Sequence, residues 1–315
     1  MNPHFDKRFT LLYLSMLSLV FIAGFALVLG SGNVLPFGDK IKGVSTAKKN
    51  LPLLPVLKSE SSFPIVSAQA ALAIDWDSMV TLYEKNPDDP LLPASTTKIV
   101  TALVAMDYYS DGEILEVGRI KVYGQKMGLK QGEKISAINL LYGLLVYSAN
   151  DAAEVLAMSF PGGREAFINA MNDKARDLNL ENSFFANPTG LDGNGDKIAS
   201  TAKDLVRISM VAMENSRFAD IVKTKEITVK SVDGKISHKL YNINELVGEV
   251  DGVLGVKTGW TENARENLVT YIERDGHRII IALLGSQDRF GETKELINWI
   301  FANYKWEEVK LPYSP

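Results

Sequence analysis

The chain has 315 residues, 46% hydrophobic and 23% charged, with a formal net charge of −4. That composition supports a packed core and lacks the basic excess of a general nucleic-acid binder. With no cysteine and only His4, His238 and His277, it excludes disulfides, thiolate metal sites and a cysteine nucleophile, and offers little for a histidine metal cluster or a Ser-His-Asp triad.

From Phe9 to Gly38 no charged residue occurs, and residues 11–29 are almost wholly apolar. A helix of that length crosses about 30 Å of hydrocarbon. Lys7 and Arg8 precede it, and no small-x-small cleavage site follows at once, so residues 9–30 are expected to be a retained transmembrane anchor rather than a removed signal. Residues 1–8 are then a cytoplasmic tail, and the rest lies outside the cytoplasmic membrane. Lys40, Lys42, Lys48 and Lys49 oppose that orientation, but they lie further from the span than the first short flank.

Residues 31–62, with Gly32, Gly38, Gly43, Pro36, Pro52 and Pro55, read as a linker, and a catalytic domain follows over 63–305 with a tail over 306–315. Residues 65–74 and 80–83 predict strands around an Asp75-Trp76-Asp77-Ser78 turn. Helices are predicted over 95–108, 138–147, 152–158, 164–178 and 201–213. Strands return over 226–232, 254–257, 268–273 and 278–284, and a helix over 292–304 closes the domain. This order implies an α/β (α+β) fold: an antiparallel sheet built from both ends of the domain, flanked by helices, with an all-helical subdomain between.

Three short motifs carry chemistry. In Ser95-Thr96-Thr97-Lys98 the hydroxyl and amine lie one helical turn apart, so a neutral lysine can take the proton of a serine nucleophile. A helix dipole and a second cation would each lower the lysine pKa. Alone, S-x-x-K is more often a capped helix start. Ser148-Ala149-Asn150 places a hydroxyl and an amide between apolar helices, where they could relay a proton and orient a substrate amide, or simply cap the next helix. Lys257-Thr258-Gly259 ends a strand-like stretch; the lysine and threonine can hold a carboxylate, and the glycine leaves room for substrate against the strand.

Taken together and in this order, the motifs resemble those of penicillin-binding proteins and class A β-lactamases. More closely, the chain resembles the low-molecular-weight penicillin-binding proteins, the D-alanyl-D-alanine carboxypeptidases of peptidase family S11. The likeness extends to Pro93-Ala94 before the nucleophile, to Gly128-Leu129-Lys130-Gln131-Gly132-Glu133, to Asp151-Ala152-Ala153, to Asn187-Pro188-Thr189-Gly190-Leu191-Asp192 and to Gly255-Val256-Lys257-Thr258-Gly259-Trp260-Thr261. It departs where Ala264 is followed by Arg265 rather than glycine.

The resemblance implies a β-lactamase/transpeptidase-like domain and a penicillin-sensitive enzyme that removes the terminal D-alanine of peptidoglycan stem peptides. Ser95 would be acylated and Lys98 its general base. Ser148 and Asn150 would complete the proton and substrate network. Lys257, Thr258, Gly259 and Trp260 would bind substrate, the backbone N–H groups of Ser95 and Trp260 forming the oxyanion hole. Arg289 would hold the terminal carboxylate; its alternative is a solvated loop arginine. The expected partners are stem peptides, β-lactams as inhibitors and the cytoplasmic membrane. No metal, organic cofactor or nucleic acid is called for. A DD-endopeptidase cutting cross-links is the nearest alternative. A class A β-lactamase lacks its deacylating E-x-x-L-N element here, and a catalytically silent scaffold would not need every reactive residue. No phosphate-binding glycine motif points to a nucleotide enzyme.

Overall fold

The computed structural model describes residues 52–58, 62–193 and 197–308. The predicted anchor and most of the predicted linker lie outside these residues. Among the described residues no helix is long and apolar enough to cross a membrane.

Strands β1 (Leu54–Leu57), β2 (Ala70–Asp75) and β3 (Thr81–Lys85) come first. A 3-10 turn (Ala94–Thr97) runs into helix α1 (Lys98–Tyr108), and β4 (Ile114–Glu116) and β5 (Lys134–Ser136) form a small antiparallel pair. Helices α2 (Ala137–Leu145), α3 (Asn150–Met158), α4 (Gly163–Asp177), α5 (Ala202–Glu214) and α6 (Ser216–Val222) follow. The chain ends with the hairpin of β6 (Glu226–Lys230) and β7 (Ser237–Tyr241), then β8 (Val253–Thr261), β9 (Arg265–Arg274), β10 (His277–Ser286), α7 (Arg289–Asn303) and β11 (Tyr304–Glu307).

The main sheet has the order β3-β2-β10-β9-β8, and every pairing in it is antiparallel. Its strands come from both ends of the domain with the helices between, as the element order implied. Period-2 alternation sends its side chains into two cores. Leu72, Val256, Val269, Tyr271, Ile280, Ala282 and Leu284 face the helical side. Ala71, Ala73, Leu268, Ile272, Ile279, Ile281 and Leu283 face α7, which packs Leu296, Ile297 and Ile300 against them. Helix α1 is buried all round from Lys98 to Met106, so its apolar run is a central core helix rather than an amphipathic one.

Several boundaries differ from expectation. The stretch expected to be linker contains β1, which pairs antiparallel with β11, and β11 itself spans the expected start of the C-terminal tail. Pro55 looked like a linker signal, yet proline is tolerated in a strand whose N–H is not needed by a neighbour. The first predicted strand begins five residues late. The backbone N–H groups of Ser67 and Ala68 donate to the Glu292 carboxylate instead of to a strand. The predicted helix over 95–108 is a 3-10 turn followed by an α-helix. Ala94 before it has φ 47°, and Thr96 Oγ1 donates to the Pro93 carbonyl at 2.6 Å.

Candidate active site

The 3-10 turn brings the first motif together. In 3-10 geometry, residues i and i+3 eclipse one another, which aligns Ser95 and Lys98 more directly than an α-helix does. Lys98 Nζ donates to Ser95 Oγ at 2.8 Å and to the Thr189 carbonyl at 2.7 Å. The lysine is 0% exposed. Burial pushes its pKa down to about 7, against a smaller upward pull from Glu154. The dominant cause is thus desolvation, which the sequence reading did not name.

The second and third motifs close onto the same place. Ser148 sits between α2 and α3 with φ 59°. Its Oγ accepts from Lys257 Nζ at 2.9 Å, and Lys257 Nζ also donates to the Thr258 carbonyl at 3.0 Å. Lys257 is 1% exposed. Its pKa is held well below the usual lysine range by burial first, then by the charges of Lys98 and Arg289. Burial of both amines, and the charge of Lys98 felt at Lys257, favour their neutral forms beside the serine hydroxyls. The second cation expected to lower the Lys98 pKa is not among the causes there; the repulsion between cations falls on Lys257 instead.

Ser148-Ala149-Asn150 does more than cap a helix: the N-cap of α3 is Ala149, which makes no side-chain cap. Asn150 Nδ2 donates to the Tyr123 carbonyl at 2.7 Å, and its buried Oδ1 has no partner. That leaves an amide acceptor available to a substrate N–H. The adjacent Asp151 carboxylate accepts from the backbone N–H groups of Met127, Gly128 and Leu129 at 3.0, 2.9 and 3.1 Å. One dipeptide therefore presents an unpartnered amide oxygen and pins the loop that forms one wall of the site.

Two glycines are dictated by close approach. A Cβ at Gly190, whose φ is 77°, would lie 1.9 Å from the Ala94 carbonyl oxygen, so only glycine lets the Asn187–Asp192 loop cross the nucleophile turn. A Cβ at Gly259 would lie 3.0 Å from the Pro93 oxygen and 3.1 Å from the Ser95 nitrogen. Gly259 was expected to leave room for substrate; it lines the cleft and also leaves room for the turn that carries Ser95.

Arg289 is not a solvated loop residue. It opens α7, and its Nη1 donates to the Gly259 carbonyl at 3.0 Å while its backbone N–H donates to Glu266 Oε2 at 2.9 Å. Burial lowers its pKa, against upward pulls from Glu266 and Glu245. A cleft of about 580 Å³ is lined by Ser95, Ser148, Asn150, Thr258, Gly259, Trp260 and Arg289, together with Gly124, Gln125, Leu191, Ile243, Thr261 and Glu262. All nine predicted site residues line this cleft or hydrogen-bond to a residue that does. Trp260 is 62% exposed at its rim. Arg265, at the departure from the expected glycine, takes φ 58° and the β8–β9 hairpin still forms.

Sequence reasoning missed several supports. Thr189 supplies the second acceptor for Lys98. Asn187 Oδ1 accepts from Thr189 and Gly190 and folds their loop. Asn267 Nδ2 donates to the Leu92 carbonyl at 2.8 Å, tying the sheet to the segment before the nucleophile. His238 bridges Glu133 Oε1 at 2.7 Å and the Met127 carbonyl at 3.0 Å, a polar anchor behind the loop over 123–129. The Asn187-Pro188 turn signal could have flagged the first two; nothing local flagged the others. Among the described residues no group of acidic or histidine side chains could hold a metal ion.

Residues 58–288 match the family model described as D-alanyl-D-alanine carboxypeptidase, peptidase S11. The chain belongs to the S11 family. Its S11 relatives include a D-alanyl-D-alanine carboxypeptidase of Mycobacterium tuberculosis, 35% identical over 75% of this chain and 82% of that protein. A D-alanyl-D-alanine endopeptidase of Pseudomonas aeruginosa is 31% identical over 80% of each chain. Among solved structures, the Streptomyces K15 DD-transpeptidase superposes with a TM-score of 0.71 at 31% identity, covering 77% of this chain and 100% of that one. The S11 assignment fixes the β-lactamase/transpeptidase-like fold for the described domain.

Proposed function

We propose that the protein is a serine-type D-Ala-D-Ala carboxypeptidase that removes the terminal D-alanine of peptidoglycan stem peptides and is acylated by β-lactams. The observation that carries this reading is the 2.8 Å bond from a fully buried Lys98 amine to Ser95 Oγ, in an amine held down to about 7. Neutral Lys98 takes the Ser95 proton as Oγ attacks the carbonyl between the two D-alanines. The backbone N–H groups of Ser95 and Trp260 receive the developing oxyanion. Ser148, bonded to Lys257, passes its hydroxyl proton to the departing D-alanine nitrogen and is reprotonated by the proton taken up by Lys98, which leaves that amine neutral again. Water then hydrolyses the acyl-enzyme, with the same amine accepting its proton. Asn150 Oδ1 and the Thr258 hydroxyl, both buried without a partner, are left to meet substrate.

Arg289, in the lining of this cleft, suits a free terminal carboxylate such as the one on the last D-alanine of a stem pentapeptide. Endopeptidase action is the second reading, supported by the name of the Pseudomonas relative. Incubating the protein with a stem pentapeptide and with a cross-linked dimer separates the two. D-alanine release from the pentapeptide with an intact dimer is the expected result; dimer cleavage with an intact pentapeptide would reverse the assignment.

The apolar run over residues 11–29 supports a membrane tether with the enzyme domain on the extracytoplasmic side. Recovery of the full-length chain in the membrane fraction, with its domain open to protease added outside spheroplasts, is the expected outcome.

A further inference from the structure

We infer that Glu262 selects stem peptides whose third residue carries a side-chain ammonium, an inference that rests on the carboxypeptidase reading above. Strand β8 lies at one side of the main sheet, with β9 as its one strand neighbour among the described residues. A peptide can therefore add to its outer edge along the cleft. Charge along that edge is polarised. Arg289 reaches the Gly259 carbonyl at 3.0 Å, and the Lys257 amine lies close enough to feel its charge. At the opposite end the strand gives way to a turn at Glu262, which lines the same cleft.

Glu262 is the carboxylate there that no donor holds in place. The neighbouring Asp192 is fixed by two neutral donors, Thr261 Oγ1 at 2.8 Å and Asn263 Nδ2 at 3.2 Å, and adds its negative charge to the same end. Among the described residues the Glu262 carboxylate joins no ion pair and no hydrogen bond. Glu262 lies three positions after Gly259, about 10 Å along extended backbone. A peptide antiparallel to β8, with its terminal carboxylate at the Arg289 end and its scissile carbonyl beside Ser95, runs its amino-terminal side toward Glu262. The third residue lies one position upstream of the penultimate D-alanine, alongside the turn. A cationic side chain there meets an unpaired carboxylate at the water-exposed rim.

The test compares two tripeptides that differ by one charge: Nα-acetyl-L-Lys-D-Ala-D-Ala with a free ε-amine, and its Nα,Nε-diacetyl form. The readout is the ratio of their kcat/KM values in wild type, Glu262→Gln and Glu262→Lys, each checked for penicillin labelling to show an intact site. Wild type should favour the free amine about three-fold, the size an exposed ion pair supports. The ratio should fall to about one in Glu262→Gln, invert in Glu262→Lys, and shrink in high salt. A wild-type ratio of one, or a preference that survives Glu262→Gln, would overturn the inference while leaving the carboxypeptidase reading intact. Absence of D-alanine release from both peptides would overturn both.

Discussion

At the floor of the cleft, Ser95, Lys98, Ser148 and Lys257 are fixed by hydrogen bonds between 2.7 and 3.0 Å, and both lysines are buried. At the rim, Trp260 stands in solvent and Glu262 lacks a partner among the described residues. The floor holds amines that water would keep protonated, and its hydrophobic surroundings make them reactive at a cost in stability. The rim carries no such strain and is free to vary with substrate. Reactivity and selectivity thus occupy separate parts of one cleft, and they should respond differently to substitution.

The largest difference is expected at Lys98. Lys98→Met should lower penicillin acylation by at least about 10³-fold, the scale of losing a base from a nucleophile–base unit. It should also raise the unfolding free energy by roughly 1–2 kcal/mol, because a buried amine is replaced by an apolar side chain of similar length. A chemical denaturation curve beside an acylation assay checks both signs. Loss of stability together with activity would show that the floor is optimised for folding after all.

Gly190→Ala should be next. The added methyl meets the Ala94 carbonyl at 1.9 Å in a backbone with φ 77°, so the loop must move away from the nucleophile turn. A loss of about 2–4 kcal/mol in stability is expected, with a fall in acylation rate. The same substitution at Gly276, where a Cβ meets nothing within 4 Å, isolates the backbone strain from the clash.

The pH dependence sharpens the comparison further. Acylation should rise with pH through about 7, as Lys98 loses its proton. Between about 7 and the ordinary value of 10.5, the unfolded chain holds a proton that the folded Lys98 has released. The contribution of this group to stability therefore increases with pH across that window, and its full burial cost applies below about 7. An acylation rate that falls over the same range would place the reactive amine elsewhere.

The smallest effect belongs to the rim. Trp260→Ala removes an exposed indole and keeps the backbone N–H, so kcat/KM for a short peptide should change less than about five-fold, with acylation by penicillin nearly intact. A collapse of acylation in this variant would make the rim part of the machinery.

The same division governs what could be seen in the sequence. The floor was legible because its chemistry demands particular residue types at fixed spacings: Ser95 with Lys98, Ser148 with Asn150, Lys257 with Thr258. The strands β8, β9 and β10 and the central helix were legible from apolar runs and alternation. What escaped depends on contacts distant in sequence. Strand β1 forms because β11 lies beside it, and neither carries a period of its own. Thr189 matters through its carbonyl, which every residue has. Asp151 and Asn267 act on backbone groups about 20 and 175 residues away. Strand β7 was readable but not predicted: His238 and Leu240 alternate inward, and Asp233-Gly234 marks the turn before it. Burial as the main cause lowering the Lys98 pKa required knowing that α1 is enclosed on every side.

The most direct test of the account is peptide mapping by mass spectrometry after reaction with benzylpenicillin at pH values on either side of 7. The account predicts one covalent adduct, on the peptide containing Ser95, forming faster at the higher pH and absent from Ser95→Ala. An adduct that persists in Ser95→Ala, or that maps to Ser148, would contradict it.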